Sequence, residues 1–107
     1  MICHAEILNL LKSVYNKYDG VRIGLAGSYA NNSATADSDI DVVIDGDSMR
    51  MDVAEYIKNL FNIPVDILWL ELLKKDDEEL DEFALSIGVP KNEYSVYKTI
   101  AREVEWV

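Results

Sequence analysis

The chain is 107 residues long, half of them apolar and 28% charged, with five Gly, two Pro and a single cysteine, Cys3; this reads as one domain with a modest core, and excludes disordered, fibrous and disulfide-stapled classes. Twenty acidic residues against ten basic ones leave a net charge of −10 with no Lys/Arg cluster, which speaks against direct nucleic-acid binding and leaves divalent cations or solubility as uses for the acids. No apolar run approaches the ~20 residues of a membrane span and residues 1–6 lack a signal-peptide pattern, so no membrane contact and a cytoplasmic location are expected.

In chain order, Ile7, Leu10, Leu11, Val14 and Tyr18 fall on one face of a helix over residues 2–18, stopped by Asp19-Gly20. The apolar, β-branched run 21–26 reads as the first strand. Gly27-Ser28 follows, and the small, polar segment 29–38 is compatible with a loop or a short helix beginning at Ser28. Residues 39–44 read as the second strand, with two carboxylates at its start. A turn at 45–48 offers Ser48 as N-cap for a helix over 49–61, with Val53, Ile57 and Leu60 on its apolar face. Residues 62–64 break it, and 65–70 read as the third strand, with Asp66 inside. Residues 71–87 predict a strongly charged helix with Leu73, Leu80, Phe83, Ala84 and Ile87 as its core side, ended by Gly88 and Pro90. From Asn92 onward, Tyr94, Tyr97, Ala101 and Val104 fall at helical spacing, although 103–107 also reads as extended chain. The expected fold is α/β (α+β): one domain over 1–107, with a core of about 5–90, a tail of 91–107, and helices on a small mixed sheet of three to four strands.

Three aspartates stand where a packed strand is normally apolar. Asp39 and Asp41 are two apart, so on a strand both point to one face while Ile40, Val42 and Ile44 point to the other. Asp66 interrupts Val65-Asp66-Ile67-Leu68-Trp69, and a lone carboxylate in such a run is costly unless a cation meets it. If the third strand lies beside the second, the three carboxylates converge and raise one another's pKa. No Lys or Arg is near them in sequence, and hard oxygen ligands suit Mg²⁺ or Mn²⁺. Gly27-Ser28, directly after a strand, offers backbone N–H groups and a hydroxyl to an anion, although Gly-Ser alone is also an ordinary turn.

Together, Gly27-Ser28, ten residues, Asp39-Ile40-Asp41 and then Asp66 resemble the minimal nucleotidyltransferases of the DNA polymerase β-like superfamily, over about residues 5–90. Ser38 before Asp39, with Ala30 and Asp37, also matches residues frequent there. The resemblance implies a nucleotidyltransferase in which Gly27 and Ser28 hold the triphosphate. It implies that Asp39 and Asp41 ligate two Mg²⁺ ions and that Asp66 shares the catalytic metal and helps activate the attacking hydroxyl. Where many members carry arginine this chain has Tyr29, Asn31 and Thr35, and Asn32 stands where glycine is frequent.

With only the transfer core and a short tail, the acceptor is expected to be presented by a partner. Chains of this type resemble the antitoxin half of a toxin–antitoxin pair, which implies a helical HEPN-type toxin as partner and transfer of AMP from ATP to a tyrosine hydroxyl on it. Two alternatives stand beside this: a binding-only antitoxin that covers its partner, and an adenylyltransferase for a small molecule. Cys3 and His4 read as bystanders at a frayed end, and the acidic run 76–82 as a solvated helix face or a docking surface for a basic partner. The aromatics Trp69, Trp106, Tyr94 and Tyr97 read as core rather than a ligand stack, with an interface as the alternative for those of the tail.

Overall fold

A computed structural model describes residues 2–46, 48–88 and 96–107. Its elements in chain order are α1 (His4–Lys17), β1 (Arg22–Ala26), α2 (Gly27–Ala30), β2 (Ile40–Asp45), α3 (Met51–Leu60), β3 (Val65–Trp69), α4 (Leu70–Ile87), α5 (Val96–Glu103) and β4 (Glu105–Trp106). They form a mixed α+β architecture on one four-stranded sheet, in the order β3-β2-β1-β4. β1 runs antiparallel to β2 and β4, whereas β2 and β3 are parallel and joined through α3.

Alternation along the strands divides the sheet into two unlike faces. Ile23 and Leu25 of β1 and Ile40, Val42 and Ile44 of β2 point to one side, where Ile7, Leu11 and Val14 of α1 and Val53, Ala54 and Ile57 of α3 close over them. Each large apolar side chain buried there contributes about 1.5–3 kcal/mol, which makes this the main stabilising core. The other face carries a smaller cluster of Ala26, Val43 and Leu70, flanked by Leu68, Tyr97, Ile100, Val104 and Trp106. The carboxylate of Asp41 belongs to that second face by the same alternation.

The tail is part of the fold. It forms both a helix, α5, and a two-residue strand, β4, and Val107 N–H donates to Ile23 C=O at 3.0 Å. Gly24 makes room for this: a Cβ there would lie 2.5 Å from Val104 Cγ2 and 3.1 Å from the Glu105 carbonyl. His4 is not frayed: it opens α1, and its Nε2 lies 2.6 Å from Glu105 Oε2, tying the first helix to the last strand.

Three further sequence expectations need correction. Ser48 does not cap α3; Arg50 does, with Ala54 N–H bonded to Arg50 C=O. The Arg50 guanidinium holds Asp52 in the first turn at 3.0 Å and also donates to Asp19 C=O, so the start of the helix is fixed by an ion pair rather than a hydroxyl. That pair holds the Asp52 carboxyl below its usual range. The short helix after β1 begins at Gly27, one residue earlier than Ser28.

The third correction concerns α4. Its covered column is Leu70, Asp77 and Ala84, each about 9% exposed and spaced by seven; Leu73 is half-buried, and Leu80, Phe83 and Ile87 face outward. The physical reason is phase: β3 runs into α4 without a loop, and Leu70, already packed in the smaller cluster, sets the helix rotation. Gly88 ends α4 in the left-handed conformation as expected. Pro90, Asn92, Tyr94 and Asp47 lie outside the described residues. No helix among the described residues is long and apolar enough to cross a membrane.

Candidate active site

Strand register brings two of the three aspartates together. Parallel pairing sets Asp41 directly opposite Asp66, and antiparallel pairing sets Asp41 opposite Ala26, the last residue before Gly27. Neighbouring strands lie about 4.8 Å apart, so Gly27, Asp41 and Asp66 form a row across one end of the sheet. Asp39 lies one residue ahead of β2, outside the ladder.

Their environments differ. Asp41 is half-buried on a central strand, and its pKa is raised, first by that burial, then by the negative charge of Asp66, then by that of Asp39. Asp66 was expected inside a packed strand, but β3 is an edge strand and Asp66 is exposed. The cost of burying charge therefore falls on Asp41. Among the described residues none of the three has a salt-bridge partner.

Gly27 is required where it stands. Its φ is +69°, and a Cβ there would run into the Asp41 carboxylate, so the backbone turn and the carboxylate occupy one space. The turn continues as α2, with Asn31 N–H on Gly27 C=O and Ser33 N–H on Ser28 C=O. Among the described residues the Ser28 hydroxyl has no protein partner, which leaves it available to a ligand.

The positions where related sequences carry arginine serve the local fold here. Tyr29 is 4% exposed, in the main core beneath α1. Asn31 Oδ1 accepts from the Ser33 backbone and hydroxyl, and Thr35 N–H donates to Ser38 Oγ at 2.9 Å. Asn32 has a φ of +61°, a left-handed conformation that glycine adopts freely and asparagine tolerates better than most residues. The close approach of Gly27 to Asp41 and the burial of Tyr29 had no signal in the sequence, because both depend on pairing between distant segments.

A divalent cation suits this donor set: hard oxygens, uncompensated like charge, and a carboxylate given room by a glycine. Among the described residues no three acidic, histidine or cysteine side chains are gathered closely enough to enclose an ion. Asp39 and Asp66, being exposed, are the side chains free to turn toward Asp41.

Comparison with curated proteins finds no match. Against family models, residues 6–98 match the nucleotidyltransferase domain, a stretch that includes most of α1, the Gly27-Ser28 turn, all three aspartates and the start of α5. With the mixed sheet and its row of Gly27, Asp41 and Asp66 in place, the match over most of the chain shows that this protein belongs to the nucleotidyltransferase domain family.

Proposed function

We propose that the protein transfers a nucleoside monophosphate, AMP from ATP, to a hydroxyl on a partner protein, as the antitoxin of a pair whose toxin is a helical HEPN-type ribonuclease. The observation that carries transfer is the register that sets Asp41 against Asp66 with Gly27 at their side. The Gly27 amide and Ser28 hydroxyl hold phosphate oxygens. Asp39, Asp41 and Asp66 would hold two Mg²⁺ ions, with Mn²⁺ as a substitute. When bound, these ions offset the charge of the triphosphate and lower the pKa of the acceptor hydroxyl. Asp66 takes the hydroxyl proton as its oxygen bonds to the α-phosphorus; the α–β anhydride bond breaks and pyrophosphate leaves.

The partner reading draws support from the phosphate side of the site. Tyr29, Asn31 and Thr35 bring no cation to it, so a docking partner that supplies both the hydroxyl and positive charge completes the chemistry. The same feature favours a second reading, in which the chain neutralises its partner by binding alone. If a helical HEPN-type protein is found encoded beside it, incubation with labelled ATP, Mg²⁺ and that protein separates the two. Transfer predicts a nucleotide monophosphate on a partner tyrosine, lost in Asp39→Asn/Asp41→Asn. A stable complex with unmodified partner establishes binding alone.

A further inference from the structure

The covered column of α4, Leu70, Asp77 and Ala84, uses only part of the helix's apolar surface. Beside it runs a second stripe, Leu72, Leu80, Phe83 and Ile87, which are 44%, 56%, 62% and 57% exposed. At about 100° per residue these four, with Asp76 between them, fall within an arc of about 80° and extend for about 22 Å along the helix. Aromatic and aliphatic side chains exposed along one side of a helix, broken only by Asp76, are unlike the scattered apolar residues of an ordinary surface. No described element covers them. The molecule is correspondingly extended, with a radius of gyration of 15.1 Å against about 13 Å for a compact domain of this length.

The charges around the stripe decide what covers it. Residues 71–82 hold seven acids and two lysines. Asp76 sits within the stripe, and Glu79 and Glu82 line its free edge, with Lys75 as the single base on that side. A second copy of the chain, itself at −10, would set acid against acid. A straight stripe one side chain wide matches a helix laid along it, ridge into groove, better than a strand or a flat surface. We propose that the outward stripe of α4 docks an amphipathic helix of another protein, one whose apolar row is flanked by Lys and Arg.

None of the three aspartates takes part, so the proposal and the transfer reading fail separately. The probe is a pair of synthetic amphipathic helices with the same leucine row, one flanked by lysine and the other by glutamate, titrated into the full chain and followed by amide NMR shifts. The lysine-flanked helix is expected to bind, to shift α4 resonances, and to weaken as salt rises. Phe83→Ser lowers its affinity about tenfold or more, as a central aromatic anchor does. Thermal melting of Phe83→Ser stays close to wild type, because the ring is outside the core. Glu79→Lys/Glu82→Lys keeps the fold and moves the preference toward the glutamate-flanked helix. Asp39→Asn/Asp41→Asn binds the lysine-flanked helix as wild type does, whatever becomes of its transfer. Equal binding of both helices, binding unchanged by Phe83→Ser, no binding at all, or a chain that is already a dimer through Phe83 would each overturn the proposal.

Discussion

Replacing Gly27 by alanine tests the geometry of the site at its tightest point. The backbone there has φ +69°, where an L residue with a Cβ is strained by about 1–2 kcal/mol. The new methyl would also meet the Asp41 carboxylate, 3.1 Å from its Cγ and closer still to Oδ2. A short side chain can rotate away, at about 0.5–1.5 kcal/mol for an off-rotamer position. Together these give a loss of about 2–3 kcal/mol, a fall in Tm on the order of 10 °C for a domain of this size. Transfer should suffer more than stability, since moving a reacting group by about 1 Å costs on the order of 100-fold. Urea unfolding of Gly27→Ala in the wild-type and Asp41→Ala backgrounds separates the two contributions. In the second background the carboxylate is gone and only the backbone strain remains, so the coupling between the sites should be about 1 kcal/mol. An equal loss in both backgrounds would refute the contact. A gain of about 0.4–1 kcal/mol, usual for Gly→Ala at a compatible φ, would refute the left-handed turn.

Three further outcomes follow from the carboxylates. The folded-state pKa of Asp41 is raised above 3.8, so the folded protein binds the extra proton between that value and its raised one, and stability falls as pH rises through this window. Asp41→Asn should therefore melt higher than wild type at pH 7 in the presence of a chelator, with the difference vanishing below pH 3.8; a lower melting point at pH 7 would contradict the burial of the Asp41 carboxylate and its crowding by Asp66 and Asp39. Adding Mg²⁺ should raise the wild-type Tm and leave the Asn variant little changed. Asp66→Asn, altered on a different strand from Asp39 and Asp41, should reduce the turnover of bound nucleotide far more than nucleotide affinity; single-turnover kinetics showing lost binding with intact turnover would remove Asp66 from the role of proton acceptor.

The parts of the fold legible in the sequence are those fixed by local period. The alternation Ile40, Val42, Ile44 against Asp41 gave β2 its two faces, and the i, i+4, i+7 row of α1 gave Ile7, Leu11 and Val14. What local period could not carry was phase and long-range pairing. The apolar residues of α4 mark a face wider than the fold uses, and only the direct junction at Leu70 selects the column through Asp77 and Ala84. β4 is two residues long, too short for any alternation, and exists because Gly24 lets Trp106 lie across β1 while Arg22 stacks over that ring at 4.0 Å. At the site, the aspartates were legible as residues out of place on strands, whereas their unequal burial was not, because edge and central positions are decided by strand order.

That strand order explains how a small domain tolerates like charges in a row. β2 is central, held by β1 on one side and β3 on the other, and its odd-even alternation anchors Ile40, Val42 and Ile44 in the main core. The strand's position is thus set by the face that carries no charge, and Asp41 must stay where that face puts it. Desolvation and the repulsion of Asp66 and Asp39 raise its pKa but have little leverage on a strand so held. Asp39, ahead of the ladder, and Asp66, on the edge, keep the freedom to turn that Asp41 lacks. One fixed carboxylate between two adjustable ones is an arrangement that a cation relieves on arrival, and the relief adds to its affinity. A more stable variant with a neutral residue at position 41 would, by the same reasoning, bind the cation less well.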